Sequence, residues 1–179
     1  AAHGFTHAFA TDGSKEGGRR GRTAYGLWSG ADIVKHGAEE AAGEQLLRTS
    51  NEQEVSAVGE GLEGGRLPSA WEVVDAEMYA IFRALWRAYR EALMAGGSAA
   101  VRESKVLICS DCRSAILQAE GAWRAGHVRR EQGGDRRAML EAICRLRARL
   151  GACVICYVPA HVGCSPNEYA DACAKSHLG

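Results

Sequence analysis

The chain has 179 residues, 46% apolar and 25% charged, with 22 Lys and Arg against 22 Asp and Glu. That length and mixture suit a single folded domain over residues 1–179 and exclude a collagen-like, low-complexity or disordered chain. No uninterrupted apolar run approaches the ~20 residues that span a bilayer, and zero net charge excludes attraction to nucleic acid by whole-molecule charge.

In chain order, Phe5 to Thr11 reads as a strand ending at Asp12, followed by a turn at Gly13-Ser14 and a Gly/Arg-rich stretch over 16–22. Thr23 to Ser29 reads as its antiparallel partner, and Ile33 to His36 as a short third strand. Residues 37–68 are rich in Glu, Gly and Ser with few large apolar side chains, which predicts a long loop insertion with one helical turn around Glu44–Arg48. Ser69-x-x-Glu72 has the pattern of a capping box. Met78, Ile81, Phe82, Leu85, Tyr89 and Leu93 then recur at helical spacing, with Gly96-Gly97 as the stop. Val106 to Cys109 predicts a buried strand ending at Asp111, and Ser114 to Ala119 a helix followed by a basic loop carrying Trp123. Met139, Ile143, Leu146 and Leu150 predict another amphipathic helix, capped by Asp135 and ended by Gly151. Cys153 to Val158 is a strand stopped by Pro159, and Ser165-Pro-Asn167-Glu168 opens a last helix bearing Asp171. The expected architecture is α/β: a five-stranded mixed sheet, three antiparallel strands plus two parallel, flanked by helices.

Charge is unevenly placed. Seven Glu and one Arg lie between Glu39 and Glu63, whereas five Arg face only Glu131 and Asp135 between Arg124 and Arg137, beside His127. Lys15, Arg19, Arg20 and Arg22 form a second basic group. Such patches grip phosphates even on a neutral protein, although solvated loops have the same composition. The seven cysteines, with no basic stretch and apolar run resembling a secretory signal, predict reduced thiols in an intracellular protein. Cys109/Cys112 and Cys153/Cys156 have zinc-like spacing, but both overlap strand-like runs in which residues three apart point to opposite faces. They read as buried small hydrophobes rather than as a zinc-binding module.

Four acidic residues stand at expected strand ends or on early helical turns: Asp12, Glu77, Asp111 and Asp171. If the strands of Asp12 and Asp111 are parallel neighbours, both carboxylates meet at the sheet edge where α/β folds hold ligands. Clustered carboxylates repel one another unless protons or cations neutralise them. Two Mg²⁺, with Mn²⁺ as a substitute, and a substrate phosphate resolve that repulsion.

Five motifs resemble, in order, those of the type 1 ribonuclease H family, in the style of the domains attached to retroelement (retrotransposon) reverse transcriptases. They are Thr-Asp12-Gly13-Ser14, Ala-Glu77-Met-Tyr-Ala-Ile, Ser-Asp111-Cys-Arg113-Ser-Ala, Val-Pro-Ala-His161-Val-Gly and Asn167-Glu168-Tyr-Ala-Asp171-Ala-Cys-Ala-Lys175. The resemblance runs from Phe5 to about Lys175. Where the family carries Gly-His-Ser-Gly or Gly-His-Thr-Gly this chain has Ala-His161-Val-Gly, and Tyr157 replaces a usual Trp. No separate N-terminal hybrid-binding module is visible, and the basic region 123–137 stands where many members have a helical handle.

The resemblance implies endonucleolytic hydrolysis of the RNA strand of an RNA/DNA hybrid, leaving a 3′-hydroxyl and a 5′-phosphate. Asp12 is expected to bridge both ions, Glu77 and Asp111 to complete the ion on the leaving-group side, and Asp171 to support the ion on the water side. His161 is expected to relay a proton or assist product release. Gly13, Ser14, Arg113 and Asn167 are candidates for reading 2′-hydroxyls in the minor groove, and Trp123 with Arg124, Arg129 and Arg130 for holding the DNA strand. A reverse transcriptase, in the same or another chain, is an expected partner. The rival readings are a catalytically silent scaffold of this fold and another nuclease of the superfamily, such as an integrase or a 3′–5′ exonuclease.

Overall fold

The computed structural model describes residues 4–18, 21–30, 61–130, 133–159 and 165–179. Five strands, β1 (His7–Glu16), β2 (Arg22–Ser29), β3 (Leu62–Leu67), β4 (Lys105–Ser110) and β5 (Ala152–Tyr157), form one sheet in the order β3-β2-β1-β4-β5. β1–β2 and β2–β3 are antiparallel, and β1–β4 and β4–β5 are parallel. This is the mixed sheet expected from the sequence. Four helices accompany it among the described residues: α1 (Val73–Glu103), α2 (Arg113–Ala125), α3 (Gly134–Arg149) and α4 (Ser165–Ser176).

The sheet divides the core in two. On one face Phe9, Leu27 and Ile108 meet Met78, Ile81 and Leu85 of α1 and Leu140 and Ile143 of α3. Complete burial of side chains of this size stabilises the fold by ~1.5–3 kcal/mol each. Ala76, Ala80, Ala84, Ala88 and Ala92 recur every four residues on α1 and are all buried, so sheet and helices approach closely along that stripe. The other face is a smaller cluster of Phe5, Ala8, Ala10, Trp28, Leu107, Cys109 and Val158 covered by Ala170 of α4. There α4 lies directly on the strands: a Cβ on Gly26 would stand 2.3 Å from the Ala170 carbonyl oxygen, and one on Gly64 2.8 Å from Cys173 Sγ.

Several boundaries differ from the sequence expectation. β1 does not end at Asp12 but continues to Glu16, because Gly13 to Glu16 keep pairing with Tyr25 to Arg22. The reversal falls at Gly17 and Gly18, whose positive φ values of 85° and 66° suit glycine. The third strand is Leu62–Leu67, inside the stretch read as loop; the expected strand at Ile33–His36 and helical turn at Glu44–Arg48 lie outside the described residues. Leu-Glu-Gly-Gly-Arg-Leu lacks β-branched residues, yet it pairs along an edge where Gly64 admits α4 and Gly65 admits the Tyr25 ring.

α1 is capped at Glu72, not Ser69: Asp75 Oδ2 accepts the Glu72 backbone N–H at 2.8 Å, while Trp71 N–H closes a turn on the Pro68 carbonyl. Gly96 and Gly97 kink α1 rather than end it, and helix resumes as far as Glu103. Leu93, expected in the buried stripe, is half exposed. α2 extends through Trp123 and Arg124, so neither lies in a loop, and Gly126 ends it at φ 73°. α3 is capped at Gly133, with Asp135 accepting the Trp71 indole N–H at 2.8 Å instead of capping. The members of each Cys-x-x-Cys pair pack into different clusters, Cys112 and Cys153 on the α1 face and Cys109 and Cys156 on the α4 face. Neither pair converges as a metal knuckle requires.

Candidate active site

The parallel register pairs Ala10 with Cys109 and Thr11 with Ser110. Asp12 and Asp111 each follow one residue later, so both carboxylates leave neighbouring strands at the same level. Side chains alternate along β1: Ala8 and Ala10 face α4, and Asp12 continues that series. Gly13 faces the other way. A Cβ there would stand 2.6 Å from the Glu77 backbone nitrogen and 2.8 Å from the Ala76 carbonyl carbon. The glycine after Asp12 thus lets the first turns of α1 settle on the sheet, which brings Glu77 to Asp12. The Gly13 N–H donates to the Glu77 carboxylate.

One carboxylate oxygen from each of Asp12, Glu77 and Asp111 lies within 4.8 Å of the others. Asp12 and Glu77 are each only 4% exposed, and Glu77 Oε2 is buried with no hydrogen-bond partner among the described residues. Burial, a hydrogen bond with Asp171 and the Asp111 charge push the Asp12 carboxyl up to about 8. Burial, followed by the charges of Asp12 and Asp111, also pushes Glu77 well up. Among the described residues no Lys or Arg forms an ion pair with Asp12, Glu77 or Asp111. The donor set is all oxygen and anionic, with one orphaned buried oxygen. It fits a hard divalent cation such as Mg²⁺ or Mn²⁺.

Asp171, on α4, stands outside this trio but is hydrogen-bonded to Asp12. Its Oδ2 accepts from Lys175 Nζ at 2.7 Å, one helical turn on. Lys175 is an addition to the residues expected from sequence; the i,i+4 spacing was its signal. Asn167, also on α4, is 3% exposed, and its Oδ1 has no hydrogen-bond partner among the described residues. Arg113, in the first turn of α2, lies 4.3 Å over the exposed Tyr157 ring at the end of β5. Gly13 and Ser14 continue β1 directly from Asp12.

The expected DNA-strand contacts stand apart from the carboxylates. Trp123 is ten residues along α2 from Arg113, ~15 Å by helical rise. Its ring lies under the Arg147 guanidinium at 4.9 Å, and Arg147 is held by Glu120 at 2.7 Å and by the Cys153 carbonyl. Trp123 therefore packs on one side and is 38% exposed on the other. Arg124 and Arg130 are exposed, and Arg129 lines an open cleft of about 710 Å³ with Trp71, Asp75, Asp135 and Arg136. His161 lies outside the described residues. No helix among the described residues is long and apolar enough to cross a membrane.

No protein-family model matches the chain, and no curated protein matches it in sequence. Solved structures do. The foamy viral protease–reverse transcriptase in complex with an RNA/DNA hybrid aligns over 97% of this chain with a TM-score of 0.63 and 15% identity. The chain spans only 20% of the length of that protein. The solution structure of the PFV RNase H domain aligns over 99% of this chain and 98% of its own, with a TM-score of 0.61 and 15% identity. RNase H1 from the halophilic archaeon Halobacterium salinarum aligns over 96% of both chains, with a TM-score of 0.56 and 19% identity. The five-stranded sheet and its helices are therefore those of the ribonuclease H fold.

Proposed function

We propose that this chain is a ribonuclease H, cutting the RNA strand of RNA/DNA hybrids endonucleolytically to leave a 3′-hydroxyl and a 5′-phosphate. The observation that carries the reading is the convergence of Asp12, Glu77 and Asp111 with a buried, unpartnered Glu77 oxygen. The shared fold adds support, since the foamy viral structure holds an RNA/DNA hybrid. A silent scaffold has no need for a self-repelling cluster that raises the pKa of its own carboxyls, so the catalytic reading is preferred.

Asp12, Glu77 and Asp111 would hold one divalent ion, and Asp12 with Asp171 would hold a second. When bound, two such ions supply Lewis-acid stabilisation of the entering and leaving oxygens of a phosphodiester. The chain's own residues set the rest. The Gly13 N–H orients Glu77, and Lys175 tethers Asp171 beside Asp12. Arg113, held flat on Tyr157, presents its remaining N–H groups to the backbone of the nucleic acid. Asn167 and the backbone at Gly13 and Ser14 are placed to read 2′-hydroxyls, the group that separates RNA from DNA. Trp123, Arg124, Arg129 and Arg130 contact the DNA strand away from the scissile bond, and His161 assists proton transfer or product release. The protein works inside a cell, alongside or as part of a retroelement reverse transcriptase.

The test is incubation with a hybrid labelled on its RNA strand, with Mg²⁺ or Mn²⁺, beside Asp111→Asn and matched RNA/RNA and DNA/DNA duplexes. Internal RNA cuts confined to the hybrid and abolished in the variant are the expected result. Cutting that survives Asp111→Asn, or none by the folded protein in either metal, overturns the reading.

A further inference from the structure

We propose that Cys109 and Cys156 form a reversible disulfide at the edge of the carboxylate site, made by a small peroxide-type oxidant and undone by cellular thiols. Cys109 on β4 and Cys156 on β5 are direct partners in the parallel register. Their side chains share the α4 face of the sheet, with Sγ atoms 3.2 Å apart. Adjacent strands lie ~4.8 Å apart, within the Cα separations that disulfides bridge. Among the described cysteines these are the two whose thiols touch: Cys112 and Cys153 pack on the opposite face, and Cys173 donates to the Glu63 carbonyl.

The two thiols have different access. Cys109 is fully buried, whereas Cys156 is partly exposed. The hydrogen bond from Cys109, outweighing burial, holds the Cys156 thiol below its ordinary range. Cys156 is thus the group an oxidant meets first, and Cys109 the resolving thiol. The Cys156 thiolate attacks one oxygen of hydrogen peroxide, giving a sulfenic acid and hydroxide. The Cys109 sulfur then attacks the Cys156 sulfur, forming the S–S bond, and the sulfenic oxygen leaves as water with the Cys109 proton. Two thiols lose two electrons, and one peroxide gains them. Cys156 is partly exposed, and exposed disulfides are the readily reduced, regulatory kind. The link would tie β4 to β5 two residues before Asp111. It is independent of the proposed hydrolytic activity.

The experiment treats the reduced full chain with stoichiometric hydrogen peroxide, blocks free thiols, and maps peptides by mass spectrometry with and without glutathione. The expected product is a Cys109–Cys156 linked peptide, an intact mass lower by two hydrogens, and recovery of both free thiols with glutathione. Cys156→Ser should abolish the link and leave Cys109 unmodified, while Cys112→Ser should retain it. The wild-type map decides the matter even if a substitution at the buried Cys109 prevents folding. Links joining other cysteines instead, Cys156 overoxidised without a link, or no reaction under conditions that oxidise free glutathione each overturn the proposal.

Discussion

Two semi-buried carboxylate sites in this protein follow opposite rules. Glu63 on β3 accepts Arg83 Nε at 2.9 Å and Nη2 at 3.2 Å, and the Tyr25 hydroxyl at 3.0 Å. Burial pushes its carboxyl up, but the Arg83 hydrogen bond and charge outweigh burial and hold it below the ordinary range. Among the described residues the trio Asp12, Glu77 and Asp111 has no such internal cation, and burial with the neighbouring acidic charges pushes Asp12 and Glu77 up instead. A carboxylate that serves the fold comes with its counterion; one that serves chemistry leaves the place to be filled. Asp171 lies between the two cases, since Lys175 neutralises it from an exposed position.

The comparison can be broken most forcefully at the trio. Asp12→Asn is expected to lower metal-dependent cleavage of a hybrid at least ~1000-fold, a loss of ~4 kcal/mol in transition-state stabilisation. In EDTA at pH 8 the same variant should be more stable than the parent by at least ~1 kcal/mol, or ~2–4 °C in Tm for a chain of this size. Thermal unfolding followed by circular dichroism checks the second half. Gly13→Ala should destabilise by ~1–3 kcal/mol, because its methyl group meets backbone atoms of Ala76 and Glu77 that cannot swing aside. Urea unfolding measures it.

Glu63→Gln gives the opposite sign from Asp12→Asn: a loss of ~1–2 kcal/mol, since it leaves Arg83 without its paired charge. The pH dependence sharpens the contrast. For Asp12 the folded carboxyl titrates at about 8 against an ordinary 3.8, so between those values the unfolded chain binds fewer protons than the native one. Its stabilising contribution is complete below the lower value and lost as pH rises through the higher. For Glu63 the folded value is depressed, so its contribution holds above the ordinary 4.5 and disappears as pH falls through the folded value. Tm profiles of the parent, Asp12→Asn and Glu63→Gln in EDTA should separate these windows. The smallest effect belongs to Lys175→Met, expected to change stability by less than ~1 kcal/mol because the pair is exposed.

The carboxylates were legible in sequence because each sits in a local setting that the backbone alone defines: a strand, a helix start, a strand-to-helix junction. The parallel pairing of β1 with β4 brings Asp12 and Asp111 together, and the packing of α1 on Gly13 adds Glu77. β3 was hidden because Gly64 and Gly65 erase the side-chain pattern of a strand, and the reason for those glycines is contact with α4 and Tyr25, distant in sequence. The overrun of β1 past Asp12 was hidden for a related cause: Gly13 looks like a turn residue but is a packing residue under α1. The glycines of region 123–137 predict a loop at Trp123, whereas α2 carries through Trp123 and ends only at Gly126. Gly96 and Gly97 misled in the same way, marking a kink where an end was expected. The Arg83–Glu63–Tyr25 network had no local signature, since its members come from three elements.

The most direct test of the central claim, that the trio awaits divalent cations, is a Mn²⁺ titration of the metal-free protein at pH 7, followed by calorimetry with proton release recorded in buffers of different ionisation enthalpy. The account predicts binding accompanied by release of protons from Asp12 and Glu77, and its loss in Asp12→Asn. Unchanged Mn²⁺ binding and proton release in Asp12→Asn would contradict it.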